Sequence, residues 1–213
     1  MIENLHETTK KIKQSLRLSM NGIVSTHQRR QGLDYRINFG VEIPRLKAIA
    51  QEYPQDKELA EALWQDNVRE CKLLAIFLMP QEHYTDIAEK WIAETPFTEI
   101  ADHLAMKILC KLPTAASDAL RWVKKPEGLS RYCGYLTLTH LFRSGTTLPP
   151  DEESSFYRQV AGLFATEEDS FIARCAFTAL CRYIDNNSSK AAEIATHSGN
   201  GSKLAAMIAD YTA

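Results

Sequence analysis

Apolar side chains recur at three- and four-residue intervals along most of the chain, the spacing of helices with one buried face. Leu5, Ile12, Leu16 and Leu18 stand among Lys and Gln residues and predict a surface helix over 5–18. The stretch from Asn21 to Gly40 shows no such stripe and reads as loosely structured. Pro44 suits a first helical turn, and Ile43, Leu46, Ile49 and Ala50 share a face until Pro54. Asp56 is a suitable cap for a helix over 57–65, with Leu59, Ala60, Leu63 and Trp64 inward. Asp66 is placed to cap 68–79, which Pro80 ends. Helices over 85–95 and 97–112 follow, separated by Pro96.

The second half repeats the theme over 115–124, 129–143, 151–165, 171–184, 190–196 and 202–211. The 129–143 segment is apolar on most sides, which predicts a central position. No segment alternates as a strand does. About a dozen helices with short links imply antiparallel neighbours. Periodicity therefore predicts an all-α protein, and by itself leaves an α-solenoid and a compact irregular bundle both open.

A length of 213 residues suits one domain spanning 1–213. Gly and Pro are scarce, nine and eight residues, which agrees with long helices. The net charge of −2 excludes a globally basic nucleic-acid coat but permits a local basic face. Five cysteines, at 71, 110, 133, 175 and 181, are odd in number and contain no C-x-x-C pair. They read as reduced core thiols of a cytoplasmic protein. Met1 to Met20 carries charge throughout, unlike a signal peptide, and no apolar run is long enough to span a membrane, so no membrane partner is expected.

The six histidines lack the H-x-x-x-H and H-E-x-x-H spacings, so no metal site is expected. Nucleophile-elbow and phosphate-loop motifs are also missing. Two features carry more. Glu99 and Asp102 lie in the first turns of one helix, where carboxylates complement the helix dipole. Asp102 also borders the apolar stripe, and a carboxylate there can face a partly desolvated groove. Basic residues, among them Arg45, Lys47, Arg69, Lys125, Arg131, Arg174 and Arg182, fall near helix starts and ends. On one layer of a solenoid they would form a track for phosphates; otherwise they are a solvated surface.

Gly40-Val41-Glu42-Ile43-Pro44-Arg45-Leu46-Lys47, then Glu58-Leu59-Ala60-Glu61-Ala62-Leu63-Trp64, then Glu70 and Leu74-Ala75, resembles the AlkD-type DNA alkylation repair family of HEAT-like repeat proteins. The likeness extends more weakly over the rest of the chain. It implies an all-α, HEAT-like α-solenoid of antiparallel helix pairs with a basic concave face for double-stranded DNA. Active members release cationic N3- or N7-alkylated purines hydrolytically, without extruding the base into a pocket. An aspartate stabilises the oxocarbenium-like sugar, tryptophans pack on the backbone and arginines hold phosphate. No cofactor is implied.

Carried over residue by residue, the family's W-x-x-x-D falls on Thr98 to Asp102. Asp102 matches the catalytic aspartate and Thr98 replaces the tryptophan. A family arginine falls on Cys133, and the W-x-x-R near the C-terminal third falls on Thr178 to Cys181. Arg131 is two residues from its position, ~200° around a helix, and Arg182 one residue, ~100°. Arg174 matches a basic position. The resemblance thus implies Asp102 as catalytic residue, with Lys47, Arg131, Arg174 and Arg182 as DNA-binding residues. Three readings follow: an alkylpurine DNA glycosylase, a noncatalytic DNA-binding relative, and a scaffold with a protein partner.

Overall fold

The computed structural model describes residues 4–166, 170–197, 199 and 202–213. Among them the elements are thirteen α-helices and three short 3-10 turns, with no strand. The chain divides into two compact units, Met1–Ile108 and Leu109–Ala213.

The first unit holds α1 (Leu5–Leu18), α2 (Gly22–Arg30), α3 (Ile43–Gln51), α4 (Lys57–Gln65), α5 (Arg69–Leu78), α6 (Tyr84–Ala93) and α7 (Thr98–Lys107). Asn4 caps α1 and Asp56 caps α4 through side-chain oxygens that accept from Glu7 and Leu59 amides. Only three residues join α4 to α5, so the two run antiparallel and pack closely. α5 is the central helix, packed against α3, α4 and α7 and buried along almost its whole length. Asp66 does not cap α5. It lies at the C-terminal end of α4 and pairs with Lys13 at 2.8 Å, while Val68 occupies the cap position. Beside α5, the Trp64 and Trp91 rings stack at 4.2 Å. Buried Lys72 donates to the Trp64 carbonyl at 2.6 Å and sits 4.5 Å over its ring.

The helix expected over 97–112 is shorter. α7 ends at Lys107, and a 3-10 turn, Leu109–Lys111, begins the second unit. That unit continues with α8 (Ala115–Trp122), α9 (Gly128–Arg143), α10 (Pro150–Thr166), α11 (Phe171–Asn186), α12 (Ala191–His197) and α13 (Lys203–Thr212). As its all-round apolar pattern implies, α9 is central and packs against α8 and α11. Gly134 permits the approach of α8, because a Cβ there would meet Val123 Cγ1 at 2.7 Å.

A buried carboxylate ties the second unit together. Glu153 on α10 accepts hydrogen bonds from Tyr157, from Tyr183 on α11 and from Lys190 in the turn Ser188–Lys190. Burial pushes its pKa up, but the hydrogen bonds from Lys190, Tyr183 and Tyr157 outweigh this and hold it below the usual carboxylate range. A depressed folded-state pKa stabilises the fold above the unfolded-state value, and that contribution disappears as pH falls through the folded-state value. Glu153→Gln is therefore expected to destabilise the unit at pH 7 by about 1–3 kcal/mol. As pH falls through that depressed value the wild-type and variant curves should converge. Urea unfolding followed by circular dichroism at several pH values measures this, and a wild-type to variant gap that does not change with pH would contradict it.

None of the five cysteines is joined in a disulfide; Cys71, Cys133 and Cys181 are buried and Cys110 and Cys175 half-buried. Among the described residues no helix is long and apolar enough to cross a membrane.

Candidate nucleic-acid interface

The sequence made Glu99 and Asp102 an acidic pair, but the structure separates their roles. Arg69, only 2% exposed, donates from Nε and Nη2 to the two Glu99 carboxylate oxygens at 2.8 and 2.6 Å. Its Nη1 donates to Glu70 at 3.0 Å and to the Val41 carbonyl at 2.9 Å. Glu70, fully buried, also accepts from the Phe39 and Val41 amides. Burial alone would lower the Arg69 pKa, but the bonds to Glu99 and Glu70 raise it, so the guanidinium stays charged. Arg69 thus belongs to an internal ion network and not to a phosphate track.

Asp102 sits in the second turn of α7 and is exposed. The partly desolvated groove expected for it is not where its carboxylate lies. His103 is half-buried next to it, with its ring edge-on to Phe77 at 5.8 Å. Burial lowers the His103 pKa. Glu99 and Asp102 oppose that shift, while Arg69 and Lys47 reinforce it, leaving the ring neutral at pH 7. Lys47 is exposed on α3. Thr98, also exposed, is the first residue of α7.

In the second unit Arg131 is half-buried in the first turn of α9, and Arg174 is exposed in the first turn of α11, which Ser170 caps. Arg182 is exposed and pairs with Asp185 at 2.9 Å, whose other oxygen accepts from Tyr211 at 2.6 Å. A structural carboxylate thus occupies Arg182. With Thr178 and Asp185 it lines a cavity of about 530 Å³ between α9 and α11. Arg143 and His140 face the same cavity. The sequence reading did not single them out as binding residues. Their spacing on the last turn of α9 was the available signal.

Cys133 and Cys181 are buried in the core of this unit. The three tryptophans, Trp64, Trp91 and Trp122, are all among the fully buried side chains, so no indole is exposed to clamp a DNA backbone. Among the described residues no group of three or more His, Cys, Asp or Glu side chains could hold a metal ion.

Two compact units of packed helices, with no strand among the described residues, define an all-α protein. The DNA alkylation repair enzyme family matches over residues 12–156, and the chain belongs to that family. A solved structure with a TM-score of 0.71 comes from "a new family of proteins related to the HEAT-like repeat DNA glycosylases with affinity for branched DNA structures". It is 17% identical, and the match covers 94% of this chain and 92% of that one. That likeness is one of fold, and it establishes the all-α, HEAT-like architecture. No curated protein matches the sequence.

Proposed function

We propose that this chain acts in DNA alkylation repair by hydrolysing the N-glycosidic bond of N3- or N7-alkylated purines in duplex DNA. The observation that carries this reading is the position of Asp102. It lies exposed in the second turn of α7, on the helix whose first turn Arg69 anchors through Glu99. A cationic alkylpurine is already a good leaving group. The C1′–N bond breaks with its electron pair passing to the base, which neutralises the base. Water then adds hydroxide to C1′ and gives up a proton. Asp102 stabilises the positive sugar and orients that water. Lys47, Arg131 and Arg174 are the phosphate contacts in this reading, with Arg143 in the cavity that Arg182 and its partner Asp185 line. The reaction requires no cofactor.

The test is to incubate the protein with duplex DNA containing N7-methylguanine and to quantify the free base. Release well above spontaneous depurination supports hydrolysis. Release at the spontaneous rate rejects it for this lesion.

A second reading is favoured by the residues at the family's aromatic and arginine positions. Thr98 and Thr178 offer no ring surface, and Cys133 and Cys181 are buried thiols. Losing those contacts removes several kcal/mol of DNA interaction. A noncatalytic member that binds distorted or branched DNA fits that loss, and the protein of similar fold is described as having affinity for branched DNA. Its affinity would fall steeply with salt. The third reading, a scaffold for a protein partner, instead expects no salt-sensitive DNA affinity.

A further inference from the structure

Helix α2 buries none of its residues. Packing against an apolar core therefore does not explain why it is there, and the absence of a stripe hid it in the sequence. Polar bonds hold it instead. Asn21 caps it by accepting from the Ile23 and Val24 amides, and the Asn21 amide donates to the Phe39 carbonyl at 2.9 Å. Ser25 donates to the Asn38 carbonyl at 2.7 Å, and Asn38 donates to Gln28 at 2.9 Å. Gly40, at φ +70°, lies so close that a Cβ would meet the Asn21 carbonyl at 2.2 Å. The corner between α1 and α2 is thus pinned from behind.

That pinned corner carries apolar side chains pointing into solvent. Leu18 is 83% exposed, Met20 63% and Ile23 85%. A cluster of large apolar groups on a firmly held turn marks an interaction site. Its surroundings are cationic. His27 and Arg30 share an open groove with Met20 and Ile23, and Arg45 Nε donates to Ser19 at 3.1 Å. The first 36 residues hold seven of the 25 Lys and Arg residues and three of the 27 Asp and Glu residues. This segment is therefore net +4 in a chain of net −2.

We propose that the α1–α2 corner contacts DNA where bases are unstacked, with Leu18, Met20 and Ile23 as an apolar wedge against exposed base faces and Arg30 and Arg45 on the adjoining phosphates. The proposal rests on DNA as the partner. Apolar side chains that enter opened base steps, with cations on the flanking phosphates, are a known way to hold kinked or opened DNA. Charge complementarity selects a polyanion over a neutral protein surface, and the apolar tip selects unstacked bases over an intact duplex.

The test uses the full chain, a linear duplex, and a three-way junction carrying 2-aminopurine at the branch. The triple variant Leu18→Ser/Met20→Ser/Ile23→Ser changes exposed positions, and its melting temperature should stay within about 2 °C of wild type. Its junction affinity is expected to fall about 10-fold or more, with linear-duplex affinity within about 3-fold. Wild type is expected to raise 2-aminopurine fluorescence at the branch, and the triple variant is not. Arg30→Gln should weaken binding to both DNAs and flatten the salt dependence. Unchanged junction affinity in the triple variant, while wild type binds both DNAs, would overturn the wedge and leave DNA binding standing. Wild type binding neither DNA would remove DNA as the partner and the wedge with it. If the triple variant loses binding to phosphatidylglycerol vesicles but keeps its junction affinity, the corner is a membrane contact and the wedge is refuted.

Discussion

Replacing Arg69 with methionine should destabilise the first unit by about 3–5 kcal/mol, because it removes one partner of a buried ion network and leaves the other charged. Glu70 has no exposure to water, and its carboxylate would keep the Phe39 and Val41 amides while losing the guanidinium. Glu99 would lose both of its Arg69 hydrogen bonds. The network joins the segment before α3, the start of α5 and the first turn of α7, so the damage spreads to the helix that carries Asp102. Trp64 and Trp91 report on this unit by fluorescence. With a typical urea slope, the midpoint should drop by roughly 2 M. Arg69→Lys keeps a charge but not the two-pronged bond, and should lose less. A midpoint shift for Arg69→Met equivalent to under about 1 kcal/mol would show that the pair is compensated elsewhere.

The regular helices were legible because burial wrote them into the sequence. α9 shows this best, since its apolar residues on most sides announced a helix surrounded by others, and α8 and α11 flank it. α4 was equally clear, with Asp56 as cap and four apolar residues on one face. α2 was invisible for the complementary reason. It buries nothing, and its stabilising bonds run from Asn21 and Ser25 to the loop between α2 and α3. Periodicity detects a face against a core and is blind to a helix held by polar side chains.

The candidate site was legible only in part. Asp102 was recognisable from a family motif, but its spacing could not tell it from Glu99. Arg69, thirty residues from Glu99, commits Glu99 to an internal network, and no spacing reveals that. Likewise Arg182 looked available until Asp185, one turn on, was seen to hold it. Buried Cys133 and Cys181 could be read as lost arginines, but not as positions turned into the core. Tertiary partners decide which surface charges remain for a ligand, and a single sequence does not order those partners in space.

The most direct measurement compares wild type with Asp102→Asn in single-turnover release of N7-methylguanine from duplex DNA, with DNA affinity recorded in parallel. Asp102 is exposed, so the substitution should leave the fold intact. Removing a carboxylate that faces a cationic transition state should slow release by about 10²–10³-fold, the scale of losing one preorganised electrostatic contact. Affinity for DNA should stay equal or rise slightly, since a negative charge is withdrawn from a polyanion. Wild-type release that falls at least about 100-fold in Asp102→Asn, with binding retained, is the result expected of a hydrolytic repair enzyme. Equal release by both proteins, or none above the spontaneous rate from wild type, would contradict it.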